Sequence, residues 1–216
     1  MIIVVAGIKG GTGKTTIATN LTVIYASTGK KVLLVDGDEQ ASASTWAAQR
    51  DALGIPTSWS TIQLSGKSIR AQVQRIAPFY DVIIIDVGGR ETTSMRAAIS
   101  VADVCLIPFK PRSLDIWTLG AMKSLVSEML PANPNLRAFA FINQADPKGT
   151  DNQDAEEILK DCVEIEHVPV SIGTRKSFAN AASDGLGVIE MRLEDRKAIS
   201  EIDALHQHLE TYIKRT

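Results

Sequence analysis

The chain is short of cysteine: Cys105 and Cys162 are the only two in 216 residues. That excludes a disulfide framework, and no close-spaced cysteine or histidine pattern marks a metal site. The usage reads as intracellular. Cys105 sits within Val101-Ala102-Asp103-Val104-Cys105-Leu106-Ile107, which reads as a buried strand. An excess of one charge is missing too. The 23 Lys+Arg and 25 Asp+Glu leave a formal net charge of -2. Bulk charge therefore gives no argument for nucleic-acid binding, and any such surface has to be a local patch. No apolar run approaches the ~20 residues of a membrane span. The N-terminal apolar run begins at Ile2 with no basic segment ahead of it, so no secretory signal is expected. Repeats of solenoid length and low-complexity tracts are absent. With 44% hydrophobic residues, the expectation is a single domain over 1–216 with a sizeable core.

What is present begins at the N-terminus. The apolar run Met1-Ile2-Ile3-Val4-Val5-Ala6 leads into Lys9-Gly10-Gly11-Thr12-Gly13-Lys14-Thr15-Thr16. Ile17, Leu21 and Ile24 come next at helical spacing. Strand, glycine-rich loop and helix form the setting of a phosphate-binding loop. Glycines let backbone N–H groups turn inward around an anion, and the helix N-terminus adds partial positive charge. Lys14 would reach the β- and γ-phosphates, and the Thr15 hydroxyl would ligate Mg²⁺. The general pattern G-x-x-x-x-G-K-[ST] wants glycine where this chain has Ile8. A second lysine, Lys9, stands just ahead of Gly10-Gly11 instead. This K-G-G-x-G-K-T-T loop resembles the deviant Walker A loop of the ParA/MinD ATPases, and Lys9 occupies the place of that family's signature lysine.

Further along, strand and helix patterns alternate. Val32–Asp36, Asp81–Asp86, Val104–Pro108, Leu136–Asn143 and His167–Ile172 read as strands, with Thr57–Leu64 a shorter candidate. Helices are expected over Ser42–Ala52, Ser68–Ala77, Thr92–Val101, Leu114–Leu130, Asp151–Cys162, Lys176–Ser183 and Asp195–Tyr212. Ile158 and Leu159 are expected to face inward, and Asn143–Asn152 to be the most mobile loop. This alternation gives an α/β fold class. It is a doubly wound, mostly parallel sheet of about seven strands with helices on both faces.

In such sheets ligands sit beyond the C-terminal strand ends. Asp36, Asp38 and Asp86 all lie at such ends. Carboxylates there can hold Mg²⁺ waters or orient a nucleophilic water. Asp36-Gly37-Asp38-Glu39-Gln40 resembles the family's second nucleotide motif, with Glu39 where a proline is usual. The resemblance implies that Asp38 aligns or activates the attacking water, and that Asp86 is the Walker B acid. Val87-Gly88-Gly89-Arg90 resembles the smaller plasmid-type members, and its glycines suit a switch loop. Pro108 to Asp115 resembles a strand-to-helix turn near the family's dimer face. Asn143 is expected against the adenine, and Arg175 beside the base pocket and dimer seam. The implied site is therefore Lys9, Lys14 and Asp38 for catalysis, and Lys9 to Thr16 with Asn143 and Arg175 for ATP. Thr15, Asp36 and Asp86 would hold Mg²⁺. Histidines 167, 206 and 208 form no ligand constellation, and Trp46, Trp59 and Trp117 read as core or interface.

The resemblance implies a cytoplasmic, nucleoid-associated ATPase that forms a homodimer with ATP. Lys9 would reach the partner's phosphates. The dimer would bind DNA without sequence preference and answer to a ParB-like or centromere-binding adaptor. Its cargo would be plasmid or chromosomal DNA or another large body. Arg175, Lys176, Arg192, Arg196, Lys197, Lys214 and Arg215 are the candidate DNA patch. A MinD-like membrane-associated positioning ATPase is the alternative. It requires a basic amphipathic C-terminal helix. The stripe Ile199, Ile202, Leu205, Leu209, Tyr212 and Ile213 is opposed by Glu201, Asp203 and Glu210, which favours core packing and no membrane contact. An electron-transfer reductase like the nitrogenase iron protein shares the loop, but Cys105 and Cys162 do not match cluster-ligand loops.

Overall fold

Unbroken aliphatic runs form the strands. A computed structural model describes residues 1–111, 113–148 and 150–213, with the side chains of 113–117 and 212–213 outside the description. The strands are β1 Ile2–Val5, β2 Val32–Asp36, β3 Ser60–Gln63, β4 Val82–Asp86, β5 Val104–Phe109, β6 Arg137–Ala145 and β7 Glu166–Gly173. They build one sheet in the order β3-β2-β4-β1-β5-β6-β7. Every described pairing is parallel, so the sheet is parallel throughout rather than mostly. All residues of β2, β4 and β5 are buried, which is why their sequences do not alternate. β3 is shorter than the expected Thr57–Leu64 and pairs only at the sheet edge.

The helices are α1 Lys14–Ser27, α2 Ser42–Ala52, α3 Ser68–Ile76, α4 Thr93–Ile99, α5 Ser113–Met129, α6 Asp151–Lys160, α7 Lys176–Ser183 and α8 Arg196–Ile213. They lie on both faces of the sheet. On one face Leu21 of α1, Trp46 of α2, Phe178 of α7 and Leu205 of α8 share an apolar layer. On the other, Val73 of α3, Ile99 of α4, Leu125 of α5 and Leu159 of α6 do so. Ile202, Leu205 and Leu209 of the α8 stripe are fully buried, so the stripe is core. The Tyr212 and Ile213 side chains, expected to extend it, lie outside the described residues. Among the described residues no helix is long and apolar enough to cross a membrane.

One local expectation needs correcting. Ile158 does not face inward with Leu159. Ala155 and Leu159, four apart, share the buried face, and Ile158 is turned out to 36% exposure. Arg50, unremarked in the sequence, is 3% exposed. Its guanidinium donates to Glu190 at 2.7 and 2.8 Å and to the carbonyls of Pro56 and Gly185. It also lies 4.6 Å over the Trp59 ring, which stacks on Trp46. This network ties α2 to the turn after α7. Asp146 and Asn152 exchange two hydrogen bonds across the loop expected to be mobile, and Gly149 of that loop lies outside the described residues.

The strand order positions the site. β1 lies between β4 and β5, so the loop after β1 is flanked by the segments leaving those two strands. β2 is next beyond β4, which brings the segment after Asp36 to the same edge.

Candidate phosphate and metal site

The loop between β1 and α1 is shaped by left-handed glycines. Gly11 and Gly13 have φ of 75° and 86°, a region that side chains avoid. At Gly13 a Cβ would also stand 2.4 Å from Asn143 Nδ2, so space and backbone both demand glycine. No side chain caps the start of α1. Its leading N–H groups are therefore open to an anion.

Lys14 is 7% exposed, and its ammonium donates to the Lys9 carbonyl at 2.9 Å. Burial pulls its pKa below the usual lysine range, while the charges of Asp86 and Asp38 work the other way. Thr15 Oγ1 donates to Asp86 Oδ2 at 2.6 Å. Asp86 is 1% exposed, and its other oxygen has no hydrogen-bond partner among the described residues. Burial raises its pKa to about 7. The Thr15 bond opposes that rise, Asp36 adds to it, Lys14 opposes it and Asp38 adds to it. A buried carboxylate oxygen left over beside a hydroxyl suits a hard cation with oxygen ligands. Mg²⁺ is held in this way, by one or two protein groups plus phosphate and water. The residues therefore fit the metal.

Asp36 is fully buried, and backbone N–H groups reach both of its oxygens. Asp38 N donates to Oδ1 at 3.2 Å and Ser44 N to Oδ2 at 2.7 Å. Asp36, expected at Mg²⁺, thus has both oxygens engaged by backbone, and the side chain anchors the turn that presents Asp38. Asp38 is half-buried, and its Oδ1 accepts from Gln40 N at 3.1 Å. A Cβ on Gly88 would lie 3.0 Å from that same oxygen, so the Asp38 carboxylate rests on the segment after β4. Gly10, Gly11, Gly13 to Thr16, Gly37 to Gln40 and Gly88 to Arg90 line a cavity of about 640 Å³, within the range of small-ligand sites.

A smaller recess of about 180 Å³ adjoins it, lined by Gly13, Thr16, Asn143, Gln144, Arg175 and Phe178 among others. Asn143 and Arg175, proposed from the sequence for a base pocket, are thus brought together. Asn143 also has a different partner. It is 4% exposed and donates from Nδ2 to Thr12 O at 2.6 Å. Gln144 Nε2 donates to Gly11 O at 3.0 Å. The two amides hold the phosphate loop from β6. Arg175 is not a free cation: its guanidinium pairs with both oxygens of Glu201 on α8. That takes it out of the expected basic patch.

The sequence assigns no individual role to three residues here. Gln144 adopts φ 55°, which no pattern announces. Lys110 places its ammonium 4.0 Å from where a Cβ on Gly11 would sit. Arg90 lines the large cavity. In the turn of Pro108 to Asp115, Arg112 and the side chains of Ser113 to Asp115 lie outside the described residues. Cys105 is fully buried in β5 and burial pushes its thiol up to about 12, which is not the state of a metal ligand.

Asp86 gives a test by pH. Its folded pKa of about 7 lies above its ordinary value of 3.8. The buried carboxyl therefore favours the folded state while protonated, and that advantage is lost as pH rises through about 7. Ligand-free Asp86→Asn is expected to gain stability over wild type, by about 1–2 kcal/mol more at about pH 8 than at about pH 6. Urea titration with chelator present checks this. A pH-independent difference would contradict the buried, metal-free carboxyl.

A model of the CobQ/CobB/MinD/ParA nucleotide-binding domain matches residues 3–189. The maintenance of carboxysome distribution protein A of Halothiobacillus neapolitanus is 28% identical over 93% of this chain and 92% of its own. Protein ParA of Rhizobium radiobacter is 34% identical over 59% of this chain and 56% of its own. Among solved structures, a plasmid partition protein of Borrelia burgdorferi bound to AMPPNP superposes with TM-score 0.76 at 21% identity, covering 100% of this chain and 99% of its own. The cell division protein MinD of Aquifex aeolicus gives 0.73 at 21%, covering 96% of each.

Proposed function

The chain belongs to the CobQ/CobB/MinD/ParA family of nucleotide-binding domains, and we propose that it is an Mg²⁺-dependent ATPase switch that partitions or positions DNA or another large cargo. The carrying observation is the Thr15–Asp86 hydrogen bond beneath a glycine loop that presents Lys14. Backbone N–H groups of the loop and Lys14 bind the phosphates. Thr15 and Asp86 would hold Mg²⁺, which when bound draws charge from the phosphate oxygens. Asp38, held over Gly88, orients the attacking water. ATP brings two subunits face to face, with Lys9 reaching the partner's phosphates. A ParB-like or centromere-binding adaptor stimulates hydrolysis and resets the switch. The names of the relatives span carboxysome distribution, plasmid partition and cell division, so the cargo is stated as a class.

DNA is the proposed track. Lys176, Arg192, Arg196 and Lys197 are exposed around the start of α7 and the start of α8. Lys214 and Arg215 lie outside the described residues. One monomer's patch neutralises few phosphates, so its binding is weak and salt-sensitive. Two patches in a dimer add avidity. Retention of nonspecific DNA is expected with ATP and Mg²⁺, and is expected to fade as salt rises. Reversing the charges of Arg196 and Lys197 together should abolish it while ATP-driven dimerisation persists. A wild type that ignores DNA at low salt would remove the DNA track from the reading.

A further inference from the structure

We propose that Arg90 contacts the terminal phosphate of the nucleotide held by its own loop, and that this contact is how the site tells a triphosphate from a diphosphate. The inference rests on the ATPase reading and adds a residue to it.

Because β4 neighbours β1, the segment after Asp86 passes over the phosphate loop. The approach is backbone to backbone. A Cβ on Gly89 would meet Gly10 Cα and N at 2.7 Å and the Lys9 carbonyl carbon at 3.1 Å. Gly88 faces the other way, with its Cβ position 3.0 Å from Asp38 Oδ1. The Gly88-Gly89 pair therefore threads between the phosphate loop and Asp38. A terminal phosphate and its attacking water then belong in the cavity beside this segment, whose wall carries both Lys14 and Asp38. Arg90 is the next residue, exposed and lining the cavity beside Lys14, Thr15 and Asp38.

The residues just after Arg90 are engaged elsewhere. Glu91, its adjacent acid, is held by Arg96, which donates from Nε at 2.8 Å and also pairs with Glu128. Thr92 caps α4 by accepting from Met95 N at 3.2 Å. The chain is thus pinned to α4 directly after Arg90, and no ion pair engages Arg90 among the described residues. The cavity wall carries Asp38 and Glu39. A permanently charged guanidinium with a planar fork matches phosphate oxygens better than any other side chain there. Removing the terminal phosphate removes the charge it answers, and the adjacent glycines let the segment swing away.

The test is a paired titration with AMPPNP and ADP in Mg²⁺, using wild type, Arg90→Ala, Arg90→Lys and Lys14→Ala. Arg90→Ala is expected to bind AMPPNP at least about tenfold more weakly and ADP within about twofold of wild type. Arg90→Lys, which keeps the charge and loses the fork, should fall between. An Arg90→Ala variant that keeps the wild-type preference for AMPPNP would overturn the proposal. So would an equal loss for both nucleotides, which would mark a general effect on the site. If Lys14→Ala loses both nucleotides while Arg90→Ala changes nothing, only this inference falls. If Lys14→Ala binds both like wild type, the ATPase reading falls and takes the inference with it.

Discussion

Lys14→Ala is expected to abolish nucleotide binding. The ammonium is 7% exposed and held against the Lys9 carbonyl, at the mouth of α1. That carbonyl is a neutral acceptor, and burial already pulls the lysine below its usual pKa. An arriving polyphosphate offers charged acceptors in the same place, so the ammonium gains more from the ligand than it gives up. Hydrogen bonds to charged groups contribute about 1.5–3 kcal/mol each. Contacts to the β- and γ-phosphates together come to about 3–6 kcal/mol, or roughly two to four orders of magnitude in affinity. The scaffold around the lysine survives its loss. The Gly11 and Thr12 carbonyls are held by Gln144 and Asn143, not by Lys14. The variant should therefore fold, with a thermal melt close to wild type, and fail to bind ATP and ADP in calorimetric titration. Tight ATP binding by a folded Lys14→Ala protein would remove the phosphate-loop assignment.

The parts of this site that could be read from the sequence are those made by neighbouring residues or by strand ends. The loop from Lys9 to Thr16 is local, and its glycines and lysines declare their geometry. Asp36, Asp38 and Asp86 were legible because parallel strands end at one edge, so acids that close aliphatic runs must converge. What the sequence hid depends on partners far along the chain. Asn143 holds Thr12 across 131 residues, and no spacing rule announces that. Arg175 looked like part of a basic surface until Glu201 was found against it, because helix packing sets which charges meet. Arg50 stands on α2 like any solvated arginine, yet Glu190 and two carbonyls draw it inside. Ile158 shows the limit of a short pattern. Adjacent helical residues point about 100° apart, and on this polar helix the narrow buried face is taken by the Ala155–Leu159 pair, four apart.

Asp38→Ala is expected to leave ATP binding intact and to reduce turnover by about 10²–10⁴, the range for loss of a positioned general base or water-orienting group. Among the described residues, no hydrogen bond joins Asp38 to the glycine loop. Its carboxylate rests instead against Gly88, with the Gly88-Gly89 segment between it and Gly10. Asp36 fixes the turn beneath it by accepting from Asp38 N and Ser44 N, so truncating Asp38 leaves that turn anchored. The bond lost is the one from Gln40 N, at the cavity wall. ATP is therefore bound but not consumed, and the ATP state should accumulate. If that state is a dimer, size-exclusion chromatography with ATP and Mg²⁺ will show the variant as a persistent dimer under conditions where wild type returns to monomer. Asp38→Asn separates position from charge. It keeps the shape of the side chain and an acceptor oxygen, so a water held only by a hydrogen bond would still be aligned. A deep loss in both variants assigns the negative charge to the step, and a deep loss in alanine alone assigns alignment. Single-turnover hydrolysis measures both without interference from product release. Turnover at the wild-type rate in Asp38→Ala would remove Asp38 from the chemistry and leave the turn of residues 36–40 with a purely structural role.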